Sequence, residues 1–388
     1  MPYGESSELS LLRDAVASVA ADFGPEYFLS AARNGQKTDE LWAALAEPGF
    51  LGVSIPEEYG GGGGGITELT AVVEETAAAG CPLVMLMVSP AICGTVLARF
   101  GSTAQRETWL PGLADGSIKM AFAVTEPDAG SNTHAITTTA TCGPDGWTLR
   151  GTKYYISGVD EAAGILVVAA TRDESGQPLG TSLFIVPVDA PGLQKTLIPM
   201  EIAAPEKQFT LHFDDVALPP EAVVGDVGGG FRSVFQGLNP ERITGAAVET
   251  GIGRYALEQA ARYGLERSVW GAPIGTHQGL SHPLAAAKIE LELARLMMWK
   301  AAGLHDAGVD ASEAANMAKY SAAEAALRCV DQAIQMHGGN GLASEYALAP
   351  YWGLARLLRI APVSREMVLN HVAQHSLGLP KSYGGSRS

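Results

Sequence analysis

The residues best suited to chemistry lie at the end of a short apolar strand. Phe122 and Val124 alternate with small residues, and a Pro and a Gly then break the pattern. Thr125, Ser131 and Asn132 are left with hydroxyl and amide groups at the strand end. Together with N–H groups freed by a Gly-containing turn, they suit a planar heterocycle or a pyrophosphate. Because an ordinary turn has the same composition, the order of the residues must decide between the two.

The order of residues 121–132 resembles a known flavin signature. The segment reads Ala-Phe-Ala-Val-Thr-Glu-Pro-Asp-Ala-Gly-Ser-Asn, and the acyl-CoA dehydrogenase family carries Thr-Glu-Pro-x-Ala-Gly-Ser-Asp, so only the last position departs. The resemblance implies that the isoalloxazine ring of FAD is contacted by Phe122, Val124 and Thr125. It also implies that Gly130 and Ser131 lie between the flavin and an acyl thioester.

A second segment, Lys153-Tyr-Tyr-Ile-Ser-Gly158, resembles the family's other flavin element, usually Lys-x-Trp-Ile-Thr-Asn. The resemblance implies flavin contacts from Tyr155, Ile156 and Ser157. The Tyr155 ring would cover one flavin face and the Ser157 hydroxyl would reach the ring edge, whereas Gly158 replaces an amide. Without the resemblance, a Tyr-rich strand indicates sheet packing.

Two later segments resemble the family's sites for the other half of FAD. The first, Arg267 to Gln278, follows the family's Arg-x-x-Phe-Gly-x-Pro-Ile-x-x-x-Gln, with Trp270 in place of Phe. The resemblance implies that the Arg holds the pyrophosphate, for which a guanidinium is well suited, and that the Gln contacts the adenosine part. Without the resemblance, Arg267 is a helix-end cation.

The second segment runs from Gln335 to Gly341 and matches the family's Gln-x-x-Gly-Gly-x-Gly. In the family, the main chain at Gly338 and Gly339 lets the adenosine of another protomer approach closely, as only Gly would. The resemblance therefore implies a dimer at least, and usually a homotetramer.

The catalytic base departs from the commonest family pattern. Acyl-thioester dehydrogenation needs a carboxylate base of raised pKa and donors to the thioester oxygen. Many members carry this Glu in Tyr-Glu-Gly-Thr, and an ungapped count from Gln335 puts Pro362 at its position. Pro cannot take a proton and has no main-chain N–H to offer. The same count puts Ser364 and Glu366 at flavin-contacting positions.

Some relatives carry the base on an earlier helix, immediately before an Arg. Here Asn239-Pro-Glu241-Arg242 lies in that place. We therefore predict Glu241 as the catalytic base, with Asn239 and Arg242, like Ser131, on the substrate side. The alternative is that Glu241 stands at a helix start without any catalytic role, and Glu366 is the second choice of base.

Composition limits the class of protein and its partners. The chain has 388 residues, 47% of them apolar and 18% charged, with a net charge of −16. This length allows two or three domains, and the negative charge argues against nucleic acid. No run of about 20 residues lacks polar breaks, so no membrane segment is expected. Four Cys without metal-ligand spacing and the absence of an export signal predict a cytoplasmic protein without a metal.

Apolar spacing predicts an α+β multidomain chain. We expect a helical domain over 1–118, an antiparallel β domain over 119–227 and a C-terminal four-helix bundle over 228–388, the arrangement of the acyl-CoA dehydrogenase family. Within the first domain, Thr38 is a possible helix cap and Pro82 to Arg99 one helix. Six consecutive glycines from position 60 indicate a flexible linker.

The resemblance implies FAD-dependent dehydrogenation of an acyl-CoA to a 2-enoyl-CoA in fatty acid metabolism, with an electron-transfer flavoprotein as electron acceptor. An acyl chain on a carrier protein fits equally. A flavin monooxygenase on the same fold, which needs no base, and a partner subunit without activity also stay open. Retention of the flavin motifs argues against loss of flavin binding.

Overall fold

Side-chain caps set where two of the N-terminal helices begin. The structure, a computed structural model, describes residues 5–381, with the backbone alone for 231–237, so the outermost ends of the predicted terminal domains lie outside it. Ser6 Oγ accepts the Leu9 N–H in the first turn of α1, and Ser102 with Gln105 forms a capping box at α7. The helices are α1 (Ser7–Ala21), α2 (Gly24–Asn34), α3 (Asp39–Ala46), α4 (Ile66–Ala78), α5 (Val84–Leu86), α6 (Thr95–Phe100) and α7 (Thr103–Ala114). Thr38 stands at the N-cap position of α3, as predicted, but its side chain makes no capping bond to any described residue.

The glycine run over 60–65 is packed rather than flexible, so the linker prediction is wrong. Three of its N–H groups donate to the carbonyls of the preceding turn at 2.8–2.9 Å, those of Gly52, Val53 and Ile55. A Cβ on Gly61 would lie 2.1 Å from the Ile55 carbonyl oxygen. Composition missed this because the glycines are required by the close approach of two backbones, not by flexibility.

The segment predicted as one helix over 82–99 is interrupted. Between α5 and α6 the backbone is π-helical over Met87–Gly94, with Pro90 inside it. Pro lacks the N–H that a regular α-helix needs, and π-helical turns are frequent at functional sites.

The middle of the chain forms an eight-stranded sheet with the order β6-β7-β3-β2-β4-β5-β8, in which β1 also pairs with β4. Its strands are β1 (Met120–Ala123), β2 (Thr139–Gly143), β3 (Gly146–Ser157), β4 (Gly164–Arg172), β5 (Pro178–Pro187), β6 (Leu193–Ile198), β7 (Gln208–Leu218) and β8 (Val223–Val224). Most pairs are antiparallel, as predicted, but β1 and β2 each run parallel to β4. The loop that carries the first flavin motif therefore joins two strands that pair with different parts of β4.

The C-terminal helices pack through small residues. They are α8 (Gly230–Glu266), α9 (Gln278–Asp306), α10 (Ser312–His337), α11 (Ala349–Leu358) and α12 (Arg365–His371). Buried alanines of α8 and α10 let the two helices lie close together. Ile289 and Leu293, part of the apolar pattern of α9, are each 62% exposed. None of the described helices is both long and apolar enough to span a membrane.

Candidate functional site

A buried ion pair anchors the loop between β1 and β2. Lys153 Nζ lies 2.9 Å from Glu126 Oε1 and donates to the Val124 carbonyl at 2.8 Å. The Glu126 carboxylate also accepts the main-chain N–H of Thr137 at 2.6 Å and of Thr138 at 2.9 Å. Lys153 and Glu126 belong to the two sequence segments predicted to contact the flavin. The pair therefore joins both segments from inside the protein.

Both partners of this pair are charged at neutral pH. Burial raises the pKa of Glu126, but hydrogen bonds from Thr138, Thr137 and Lys153 outweigh it and lower that pKa to about 2. Burial lowers the pKa of Lys153 to about 8, with Glu126 opposing the shift. The sequence reasoning assigned neither residue a role, although both stood in the quoted motifs.

A β-bulge in β3 turns Tyr155 out of the sheet. The pairing with β7 shifts register between Lys153 and Ile156, and Tyr155 takes a φ of 57°. This backbone region is costly for a residue with a side chain and is often found at ligand sites. The Tyr154 N–H donates to the Thr125 carbonyl at 2.9 Å, which sets the bulge beside the first motif. The Tyr155 side chain is 49% exposed.

The other residues of this strand-end set differ in accessibility. Ile156 lies in the sheet core at 2% exposure. Ser157 Oγ donates to Gln208 Oε1 at 3.0 Å. Among the other predicted flavin contacts, the half-buried residues are Phe122, Val124 and Thr125, and the exposed residues are Gly130 and Ser131.

Gly158, which stands where the family has an amide, is held by packing. Its φ is 67°, which Asn tolerates, but a Cβ would lie 2.3 Å from Met85 Sδ. We expect Gly158→Asn to lower the free energy of unfolding by about 1–3 kcal/mol, and by clearly less in a Met85→Ala background, measured by urea unfolding. Gly176→Asn, at a φ of 83° with open space around it, is the matched control. Equal costs of Gly158→Asn in both backgrounds would rule out the contact as the cause.

The two later motifs meet where α8 and α10 end. The rings of Tyr263 and His337 stack with centroids 4.1 Å apart, and Asn340 Nδ2 donates to the Tyr263 hydroxyl at 3.0 Å. Trp270 is 90% exposed at a φ of 51°, in the turn between β9 (Ser268–Val269) and β10 (Ala272–Pro273). The predicted cofactor residues of this helix-end set are all exposed: Arg267, Trp270, Gln278, Gln335, Gly338 and Gly339.

Glu241 lies inside the protein on the first half of α8, at 9% exposure. Burial raises its pKa to about 7, while Arg242 and Lys319 act in the opposite direction. Burial, and then the Glu241 carboxyl, raise the pKa of the Cys93 thiol. Cys93 belongs to the π-helical segment, so the charge of Glu241 acts on a residue of that segment.

The same face of α8 lies against Pro362. A Cβ on Gly245, one helical turn after Glu241, would lie 3.4 Å from Met87 Sδ of the π-helical segment and 3.9 Å from Pro362 Cδ. Pro362 stands where the ungapped count put the common base, and Glu241 stands at the alternative base position. The two positions therefore border the same space.

Arg242 is held by its own helix. Its Nη1 donates to Asn239 Oδ1 at 3.1 Å, and Asn239 Nδ2 donates to Ser312 Oγ of α10 at 3.3 Å. Burial lowers the pKa of Arg242, but a guanidinium stays charged. Two of the polar side chains predicted from this segment, Asn239 and Arg242, thus lie together where α8 meets α10.

Comparison with known proteins places the chain in a family. Sequence models of the acyl-CoA dehydrogenase N-terminal, middle and C-terminal domains match residues 6–117, 121–216 and 228–377. The chain belongs to the acyl-CoA dehydrogenase family. Acyl-CoA dehydrogenase FadE12 of Mycobacterium tuberculosis (strain ATCC 25618 / H37Rv) is 56% identical over 381 residues, which cover 98% of each chain.

Solved structures share the whole architecture. The glutaryl-CoA dehydrogenase in complex with glutaryl-CoA has a TM-score of 0.92 at 29% identity and covers 100% of this chain and 99% of its own. The FAD complex of PigA has a TM-score of 0.90 at 26% identity, covering 98% and 100%. The predicted order of helical, β and helical parts and the predicted enzyme class, acyl-CoA dehydrogenase, are confirmed.

In this acyl-CoA dehydrogenase the segment after Pro362 is a helix start. Ser364 Oγ accepts the Met367 N–H at 3.3 Å and caps α12. The Glu366 side chain is 72% exposed and lies 3.6 Å from Arg365. Glu366 therefore lacks the burial that gives Glu241 its raised pKa, which weakens it as the alternative base.

Two ionisable residues near Glu241 escaped the sequence reasoning, Lys319 on α10 and Glu249 on α8. Both are almost fully buried, at 2% and 1% exposure. The sequence pattern could have pointed to Lys319, because this residue interrupts the apolar face of an Ala-rich helix. Glu249 follows Glu241 by eight residues, which is the spacing of one helix face.

Proposed function

We propose that this chain oxidises an acyl-CoA to a 2-enoyl-CoA, with Glu241 as the base that removes the α-proton. The observation that carries the proposal is the burial of Glu241, with a pKa near 7, on the α8 face that borders Pro362. Pro362 cannot act as a base, and Glu241 lies one helical turn before Gly245, where a Cβ would be 3.9 Å from Pro362 Cδ. A base of this proton affinity is well matched to work at neutral pH.

The residues present fit FAD as the cofactor. Beside Gly130, Gly338 and Gly339 a Cβ would meet nothing within 4 Å, so a ligand can approach the main chain there. The exposed ring of Tyr155 suits one face of the isoalloxazine, and Arg267 suits the pyrophosphate. FAD, when bound, supplies the acceptor for the hydride that leaves the β-carbon. The remaining contacts that we propose for it come from Phe122, Val124, Thr125, Ser131, Ile156, Ser157, Trp270, Gln278, Gln335, Ser364 and Glu366.

The chain's own residues orient the thioester and move its proton. Glu241 takes the α-proton from a buried position, where little water competes for the carboxylate. Arg242, fixed by Asn239, keeps a positive charge beside that carboxylate and opposes a further rise of its pKa. The hydrogen-bond donors for the thioester oxygen lie elsewhere than at Pro362, which has no N–H.

We also propose that the enzyme is at least a homodimer and passes its electrons to an electron-transfer flavoprotein, as the family resemblance implies. The exposed helix-end set and the exposed Ile289 and Leu293 of α9 are surfaces that a second copy would cover. A cytoplasmic location fits the composition.

The test is anaerobic mixing of the flavin-loaded protein with CoA thioesters of different chain length and branching, followed by flavin absorbance. Bleaching by at least one thioester, with formation of the 2-enoyl product, is the expected result. A flavin-loaded protein that no CoA thioester bleaches contradicts the proposal. Bleaching by carrier-bound thioesters alone, or rapid reoxidation by oxygen with substrate hydroxylation, would then identify the reaction.

A further inference from the structure

Two glycines in the central part of α8 are required by close packing. A Cβ on Gly251 would lie 2.4 Å from Ala77 Cβ of α4, and a Cβ on Gly253 would lie 2.7 Å from Leu291 Cδ1 of α9. Glycine destabilises the interior of a helix relative to Ala, so such a contact explains why it is present there. Gly245, in the same part of the helix, differs from both.

Gly245 is buried but has room for a side chain. A Cβ there would lie 3.4 Å from Met87 Sδ and 3.9 Å from Pro362 Cδ. Outside its own turn of helix it would meet nothing else within 4 Å among the described residues. These are ordinary van der Waals distances, so Ala would fit and would favour the helix. Packing therefore does not explain why position 245 is a glycine.

The space beside Gly245 adjoins the proposed base. Glu241 precedes Gly245 by four residues, and residues four apart are neighbours on a helix surface. The Glu241 carboxyl is buried at 9% exposure, and it forms no hydrogen bond or close ion pair within the part of the chain that the structure describes. A buried polar group without a partner is costly, which is typical of a group kept for a ligand. An acyl group that presents its α-carbon to Glu241 therefore lies close to Gly245.

The wall opposite Gly245 contains a side chain that can change shape. Met87 is buried in the π-helical segment, and its unbranched side chain has three rotatable bonds. Pro362 beside it is a rigid ring. An Ala at position 245 would contact both groups and fill the space into which the Met87 thioether can move. The glycine leaves that space open.

We propose that Gly245 and Met87 determine the substrate class of this enzyme, which is a methyl-branched acyl-CoA: the Met87 thioether moves toward Gly245 and gives its place to the branch. This inference rests on the proposed function, because Glu241 locates the acyl chain. Gly245 lies one turn, about 5.4 Å, along the helix from Glu241, so the branch lies at or beyond the β-carbon. The thioether and the proline ring offer no hydrogen-bond donor and one weak acceptor, which suits a hydrocarbon branch rather than a polar substituent.

The experiment compares kcat/KM for pairs of CoA thioesters that differ only in a methyl branch, in flavin-loaded wild type and Gly245→Ala. Wild type should use the branched member at least as well as the straight one. Gly245→Ala should lose about tenfold or more with the branched thioester, and less than about twofold with the straight one. It should also unfold at a higher urea concentration than wild type, because Ala favours the helix. A variant that is less stable and equally slow with both thioesters would overturn the proposal.

A second variant tests the role of the moving side chain. Met87→Ala removes the thioether, so Gly245→Ala in this background should change the branched-to-straight ratio of kcat/KM by less than about twofold. Equal changes in both backgrounds would overturn the role of Met87. Met87→Ala alone should keep or raise the ratio, so a fall of that ratio contradicts the proposal even if Gly245→Ala does not fold.

A matched control separates helix stability from substrate fit. Gly303→Ala adds a methyl group to an exposed glycine of α9, where a Cβ would meet nothing within 4 Å, and should leave the branched-to-straight ratio unchanged. If no CoA thioester bleaches the wild-type flavin, the proposed function fails. If thioesters bleach it but wild type rejects the branched members, or Gly245→Ala leaves the ratio unchanged, the function stands and this inference fails.

Discussion

Replacing Glu241 by Gln is expected to slow flavin reduction by an acyl thioester about 10²- to 10⁴-fold, the usual contribution of a general base. The amide has the same size but cannot take the α-proton. Because burial raises the pKa of Glu241 to about 7, kcat/KM of the wild type should rise with pH through about 7 and level off above it. The variant should lack this limb. Anaerobic stopped-flow absorbance measures both quantities.

The matched control is Glu366→Gln, which makes the same chemical change at an exposed carboxyl of α12. It should keep the pH limb of the wild type. The assignment of the base is refuted if Glu241→Gln reduces its flavin within about tenfold of the wild-type rate, a loss smaller than a general base contributes.

The same substitution has a consequence for stability that needs no substrate. The pKa of Glu241 is higher in the folded protein than the usual value of about 4.3 in an unfolded chain. Protonated Glu241 therefore favours folding below that value, and this contribution is lost as the pH rises through about 7. Above pH 7, Glu241→Gln should be more stable than wild type by up to about 3 kcal/mol, and below pH 4 the two should converge, as measured by urea unfolding.

Lys153→Met is expected to have the largest effect on stability, a loss of about 3–5 kcal/mol in the free energy of unfolding at pH 7. It removes the only ammonium that the structure shows bonded to the buried carboxylate of Glu126, among the described residues. The loop between β1 and β2 also loses the bond to the Val124 carbonyl. Urea unfolding measures the stability, and the flavin content of the purified protein measures the integrity of the loop.

The double variant Glu126→Gln/Lys153→Met is the control, because it removes both charges. It should recover about half of the loss or more, since no uncompensated charge stays buried. The pKa of Glu126 lies near 2 in the folded protein, below its usual value, so its contribution to stability is present above about pH 4.3 and disappears as the pH falls toward 2. A single variant Lys153→Met as stable as wild type would show that the pair is not structural.

Much of the architecture follows from local patterns in the chain. The start of α7, for example, is set by a capping box that acts within a few residues. The order of helical, β and helical parts follows from the same short-range signals. The order of residues in the motifs, rather than composition, predicted which segments would contact a flavin. In the structure these segments lie at strand and helix ends, where ligands can reach the main chain.

Other features depend on contacts between distant parts of the chain. The glycine run packs against a turn, Gly158 is confined by Met85, and the helix over 82–99 is interrupted by a π-helical segment. Composition could not predict these features, because each depends on which backbone or side chain approaches from elsewhere.

The family, the fold and a short set of candidate carboxylates follow from the order of residues along the chain. Only the tertiary structure separated Glu241 from Glu366, because burial, which sets the proton affinity of a carboxyl, results from packing between helices far apart in the chain. Lys319 and Glu249 became visible for the same reason. Lys319 faces α8 because α10 packs against it, and no spacing along the chain records this contact, whereas Glu249 lies on α8 itself, eight residues after Glu241.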